Sequence, residues 1–257
     1  MGSDQAWHGG RSCLGSEQAF TLLEVLVTIA IIALLAGLVG VSSQTALARA
    51  RRVSCLNNLR QLGIASTMYS GENSRQAFSD TQSDSDDNQS WAYPYVKTVK
   101  PFLCPAARNT LNESEISKVW QASGAFHGMI DYAGNRTGTG SSYEVYGFMN
   151  YNGGLKTSVI VDGKTVETPG VQKTAGSLSP YTRRSRGLGM QGQAVGPSLI
   201  FLFLDGDAES EINRPRAEGN HGTTGSNVQF CDGSARFIKA GEWARTYELS
   251  QDEGVQP

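Results

Sequence analysis

The sequence predicts an α+β protein: one long N-terminal helix, with a transmembrane half and a soluble half, packed on a small head built around an antiparallel β-sheet. Three observations predict it. Phe20 to Val41 is a 22-residue run whose only charged residue is Glu24. Ser42 to Ser70 continues without proline, with a single glycine and many helix formers. After Gly124 the pattern turns to short strands, with two Asp-Gly hairpin signals.

Composition sets the outer bounds. The 22 basic and 24 acidic residues leave a net charge of −2, which excludes a polybasic nucleic-acid binder and an acidic solvating chain. No nucleic-acid partner is therefore expected. A mean hydropathy of −0.31 excludes a multispan membrane protein. The four cysteines show no CxxC spacing, so they do not read as a structural zinc site.

The elements follow in order. At ~1.5 Å per residue, the run 20–41 is about 33 Å long, enough to cross a bilayer core. A buried core helix rarely runs this far without a polar face. A cleaved secretory signal has an apolar region of roughly 7–15 residues and an Ala-x-Ala site, which Leu47-Ala48-Arg49-Ala50 matches poorly. Glu24 is the oddity, because a carboxylate inside a membrane helix costs roughly 2.5–3.5 kcal/mol on insertion scales. No cation lies within one turn upstream. A cut between Ala19 and Phe20 would create one, the α-amine of Phe20. Residues 42–70 read as a soluble continuation of the helix. Val53, Leu56, Leu59 and Leu62 recur every three residues, a stripe that drifts ~60° per step and touches more than one surface.

The head is expected over 71–248. Gly71 to Ser90 reads as a polar loop. Within it, Asp84-x-Asp86-x-Asn88 imitates an EF-hand start, but Gln89 and Tyr95 stand where the loop needs Gly and Glu. Trp91, Tyr93 and Tyr95 read as core, with sugar stacking the alternative. Asn112 or Ser114 would cap a short helix with Trp120 facing inward. Tyr143 to Tyr146 alternates as a strand. Hairpins are expected at 158–167 and 228–237, turning on Asp162-Gly163 and Asp232-Gly233. Thr174 to Gly196 reads as a long exposed loop, Ser198 to Leu204 as a central strand buried on both faces, and 249–257 as a flexible tail.

The stretch Ala19-Phe20-Thr21-Leu22-Leu23-Glu24-Val25 and the apolar run behind it resemble the N-terminal signature of the type IV pilin and type II secretion pseudopilin superfamily. The resemblance implies a leader at 1–19, cleavage after Ala19, N-methylation of Phe20 and a role for Glu24 in assembly. Two features depart from the family pattern: Ala19 replaces the usual Gly, and the leader is poor in basic residues. Implied partners are a prepilin peptidase, other pilin or pseudopilin subunits, an inner-membrane assembly platform and the membrane itself. The implied location is the bacterial inner membrane, single-pass, with the head in the periplasm. Cys55-Leu56-Asn57-Asn58-Leu59-Arg60-Gln61-Leu62-Gly63 resembles a stretch of a bacterial subgroup of these proteins. Asn220-His221 through Asp232-Gly233 resembles a His-x9-Asp-Gly element of pilin-like proteins from Planctomycetes and Verrucomicrobia, here with ten residues in the gap.

Outside the cytoplasm Cys55, Cys104 and Cys231 can oxidise. Three is odd, so one stays free or pairs between chains. Cys55–Cys104 is the expected pair, although sequence does not fix connectivity. By loop entropy it contributes ~4 kcal/mol in a model-dependent account. For His221, an acid partner at Asp232 or Asp205 would make a metal or assembly site; the alternative is a loop residue bonded to the Asp232-Gly233 turn. Related pseudopilins hold calcium in a loop, so a structural calcium ion stays in consideration; no other cofactor is expected. No nucleophile elbow, HExxH, phosphate loop or dinucleotide fingerprint is present. The expectation is an assembling structural subunit rather than an enzyme. A membrane-tethered ligand- or carbohydrate-binding protein that does not polymerise is the alternative.

Overall fold

The computed structural model describes residues 20–81, 88–114, 139–149, 156–161, 164–179, 181–206, 214–217 and 219–254, without side chains for 38–42, 156–161 and 164–169. The chain divides into two compact units, residues 1–46 and 47–257. Helix α1 runs from Leu22 to Glu72. Its first described residues expose their side chains throughout, including Phe20, Leu22, Ile29, Ile32 and Leu35. Among the described residues, no helix is long and apolar enough to cross a membrane. The side chains of 38–42, at the end of the expected 20–41 span, lie outside them. The leader 1–19, including Ala19 and Cys13, lies outside them too, as do Asp84 and Asp86, Trp120, and the Asp162-Gly163 turn.

In the second unit, Cys55, Leu59, Leu62 and Ser66 of α1 are buried. They follow i, i+4, i+7, i+11 spacing, which places them on one face of a 3.6-residue helix. That is a clean seam rather than the winding stripe expected. Val53 and Ile64 fall on the opposite face and stay exposed.

The seam packs on a four-stranded antiparallel sheet in the order β1 (Tyr143–Val145), β8 (Phe201–Asp205), β9 (Gly225–Phe230), β10 (Ala235–Lys239). The central strand is β8, and all five of its residues are buried. Phe201 pairs with Phe230 and Phe203 with Gln229, so Leu202 is an extra residue that breaks the alternation. Leu202 and Phe203 consequently join the core on the α1 side, with Trp91 stacked 6.0 Å from Phe203. Phe201 and Leu204 join a second cluster with Trp243 and Tyr247 of the C-terminal helix. Both faces are covered, which is why Phe201 to Leu204 carry only apolar side chains. The β9–β10 connection is the four-residue stretch from Cys231 to Ser234 rather than a two-residue Asp-Gly turn. Phe230 N–H donates to Ser234 O and Gly233 N–H to Phe230 O, with Gly233 at φ 86. The expected hairpin at 158–167 is β3 (Lys156–Val161) with β4 (Lys164–Pro169). The remaining short pairs are β2 (Phe148–Met149) with β5 (Val171–Gln172), and β6 (Tyr181–Thr182) with β7 (Ala194–Val195). Helical turns α2 (Tyr93–Val96) and α3 (Ala175–Leu178) precede α4 (Ala240–Gln251).

Three polar stretches differ from expectation. Ser79, Thr81, Gln89 and Ser90 of the expected solvated loop are buried. Ser141 Oγ donates to Gln89 Oε1 at 2.9 Å, and Gln89 Nε2 donates to Tyr143 O, so the loop end is tied to β1. The 174–196 region is not an open loop either. Arg183 is fully buried against Glu248 and Asp252, and Tyr181 Oη donates to Asp252 Oδ2 at 2.5 Å. The expected tail from 249 instead finishes α4: Leu249 to Asp252 are buried, with Asp252 as its left-handed C-cap. In each case the polar side chains are buried with hydrogen-bond or ion-pair partners from distant segments, although Arg183 Nε and Nη1 make no hydrogen bond among the described residues.

Candidate functional site

Two places carry site chemistry. The first is the start of α1. Thr21 precedes Leu22, the first helical residue, and Glu24 stands three residues after Thr21. Thr21 N–H donates to Glu24 Oε2 at 2.9 Å and Thr21 Oγ1 donates to the same oxygen at 3.0 Å, while Glu24 N–H donates to Thr21 Oγ1 at 3.2 Å. This is a reciprocal capping box that satisfies orphan donors of the first turn and sets a carboxylate at the positive end of the helix dipole. Glu24 therefore has a partner in its own chain before any cleavage. The Thr-x-x-Glu spacing is a capping signal in the sequence itself.

The second place lies at one end of the central sheet. Cys55 of α1 is bonded to Cys104, with their Cα atoms 5.2 Å apart. Cys231 is the unpaired one, buried, and burial pushes its thiol up to about 12. Beside the disulfide, His221 Nε2 lies 3.7 Å from Cys104 Sγ, 3.5 Å from Asp205 Oδ2 and 2.7 Å from Asn227 Nδ2. Asp205 ends β8 opposite Tyr143 of β1. Its Oδ2 accepts from Asn227 N–H at 2.6 Å, while its Oδ1 is buried with no hydrogen bond among the described residues. Burial pushes this carboxyl up to about 7, against the opposing pull of the Asn227 N–H.

His221 and Asp232 do separate jobs. Asp232 is exposed in the hairpin loop, where its Oδ1 accepts from Ser234 N–H at 2.9 Å and Ser234 Oγ at 2.7 Å. Gly233 supplies the positive φ of that loop. The acid beside His221 is Asp205, one of the two partners weighed from the sequence, and it is buried.

A family model described as "Prokaryotic N-terminal methylation motif" matches residues 15–40, and one described as "Protein of unknown function (DUF1559)" matches residues 44–96. Together these two matches, which cover the N-terminal part of the chain, support a member of the type IV pilin-like superfamily. No curated protein and no solved structure matches it.

The second match gives the pilin-like helix a physical reading, because nearly every residue of 55–63 is engaged. Cys55 forms the disulfide, and Leu59 and Leu62 enter the core. Asn58 Nδ2 donates to Leu103 O at 2.8 Å and Tyr143 Oη at 3.2 Å, holding the segment before Cys104 against β1. Arg60 Nη1 donates to Asn57 Oδ1 at 3.0 Å. At Gly63, an added Cβ would crowd the buried Gln229 side chain of β9. Sequence reasoning missed Asn58, Asn220 and Asn227 as members of the cluster. Asn220 Nδ2 donates to Ser142 O at 2.7 Å, and nothing in a lone Asn signals such a partner.

Proposed function

We propose that this pilin-like chain is a structural subunit, not an enzyme. In this reading a prepilin peptidase cuts between Ala19 and Phe20 and N-methylates Phe20. The subunit then assembles into a type II secretion pseudopilus or type IV pilus-like filament, drawing on other subunits and an inner-membrane platform, with the head in the periplasm. One observation carries the reading: the segment that matches the methylation motif is an apolar helix start with every described side chain exposed, Phe20 and Leu22 at 82%. Such a surface is stable only in lipid or against other copies of itself.

Assembly would make Glu24 exchange partners. Its carboxylate would give up the Thr21 box for the Phe20 amine of a neighbouring subunit, a charge-assisted bond that the uncut chain cannot make. The second exposed apolar face, Val53 with Ile64, supports further contact between subunits. The tethered-binder alternative loses its best surface, because Trp91 and Tyr93 are buried in the core.

The test is intact mass and N-terminal sequencing from native membranes, with filament yield of Glu24→Ala beside it. The expected chain begins at methylated Phe20, and the variant inserts and is cut but gives no filament. Retention of residues 1–19, or normal filaments from the variant, would sink the proposal.

A further inference from the structure

Four side chains with metal-ligand chemistry converge where the disulfide meets the sheet. Cys55 comes from α1, Cys104 from the segment before β1, Asp205 from the end of β8 and His221 from the loop before β9. One ligand atom from each lies within 4.8 Å of all the others. The set is enclosed: the His221 and Asp205 side chains are 5% and 3% exposed. A tetrahedral zinc ion, with Zn–S near 2.3 Å and Zn–N or Zn–O near 2.0–2.1 Å, sets its ligand atoms about 3.3–3.8 Å apart. His221 Nε2 already stands 3.7 Å from Cys104 Sγ.

A second observation points to a cation. Asp205 Oδ1 is buried without a well-formed hydrogen bond among the described residues, although the Asn220 and Asn227 side-chain amides act on the carboxyl, while Oδ2 is held by the Asn227 N–H. A carboxylate arranged this way has one oxygen fixed and one left over, the disposition of a ligating carboxylate with its outer bond already made. A small, partly open cavity is lined by Asp205, Asn220 and His221, two of the four residues of the group among them. The Asn227 amide, 2.7 Å from His221 Nε2, would turn aside for an ion.

We propose that the dithiol form of the chain binds one tetrahedral Zn2+ through Cys55, Cys104, His221 and Asp205, and that forming the Cys55–Cys104 disulfide expels it. On binding, the two thiols lose two protons and form two Zn–S bonds. On expulsion, a disulfide-bearing oxidant supplies the missing step. Its S–S bond breaks, the two Zn–S bonds break and the Cys55–Cys104 bond forms. The oxidant takes two protons from water and leaves as two thiols, and Zn2+ departs. The same junction between α1 and the sheet is thus clipped in both redox states, by the ion before oxidation and by the covalent bond after it.

The test uses the full chain in detergent, reduced with a phosphine that does not bind metal and titrated with Co2+, then Zn2+. Expected are one equivalent of Co2+ with a thiolate-to-cobalt charge-transfer band and the intense visible bands of a tetrahedral ion, both erased by Zn2+. The oxidised chain should show neither. His221→Ala and Asp205→Asn should each weaken binding at least about tenfold while keeping the charge-transfer band, and Cys104→Ser should remove the site. Adding a small-molecule disulfide to the zinc-loaded chain should release one ion per protein disulfide formed, read with a chromogenic chelator. No charge-transfer band in the reduced chain, unchanged affinity in both His221→Ala and Asp205→Asn, or zinc retained after oxidation would overturn the proposal. The reduced and oxidised wild-type chains alone decide it where a variant fails to fold.

Discussion

Two stretches of the same helix carry similar apolar side chains and treat them in opposite ways. Near the start of α1, Leu34 is 66% exposed, whereas Leu59 and Leu62 are fully buried. The difference is in pattern rather than composition. The first stretch is apolar all round, and no single face of a head can cover it. The second confines its buried residues to one face, which one sheet covers. A helix apolar on every side asks for a solvent or an assembly, and a helix apolar along a seam asks for its own domain. Stability of the fold should therefore reside in the second stretch and its partners, and assembly in the first.

The strongest break in that partition would come from the buried charges. Arg183→Ala strands Glu248 and Asp252 without their cation. The expected loss is about 3–5 kcal/mol, read by denaturant unfolding of the full chain in detergent, with the peptidase cut unaffected. Next is the direct comparison within α1. Leu59→Ala should cost about 2–5 kcal/mol through the cavity it leaves. Leu34→Ala should move head unfolding by less than about 0.5 kcal/mol and act on filament yield instead. Equal losses from both would erase the distinction between the two stretches.

A smaller effect depends on pH. Lys173 is buried, its Nζ donating to Phe201 O at 2.7 Å, and burial lowers its amine from 10.5 to about 7. Between those values the unfolded chain holds a proton that the folded chain lacks, so stability rises with pH across that window and is flat in this respect below it. The contribution is at most about 1.4 kcal/mol per pH unit. The thermal midpoint of the wild-type chain should climb from pH 7 to 9 relative to Lys173→Met, and parallel curves would refute the assignment. Asp205, raised to about 7, acts with opposite sign below that range and so does not mask the comparison. The smallest effect is on the exposed face of the second stretch. Ile64→Ser should leave unfolding within about 0.5 kcal/mol while lowering filament yield.

Much of the fold was legible locally. The apolar run within 198–204 marked the central strand because a strand covered on both faces is dominated by apolar residues. Proline-free continuity marked α1, and alternating residues around Asp-Gly marked the β9–β10 hairpin. The polar stretches were not legible. Gln89, Arg183 and the residues from Glu248 to Asp252 look like solvated surface in sequence. Their partners lie far along the chain: Arg183 bonds Asp252 at a separation of 69 residues. The same holds at the cluster. His221 was singled out from its motif, but the acid it meets is Asp205 on another strand, not the nearer Asp232.

The sequence by itself determined where the apolar stretch of α1 begins and that a head follows it, because these depend on local pattern along the chain. Only the tertiary structure decided which face of α1 is covered, that Cys55 pairs with Cys104 and leaves Cys231 free, and that His221 stands with Asp205 beside that bond. Each of those depends on which distant segments share one small volume. Burial, not proximity in the chain, sets the energy of a polar or sulfur contact there.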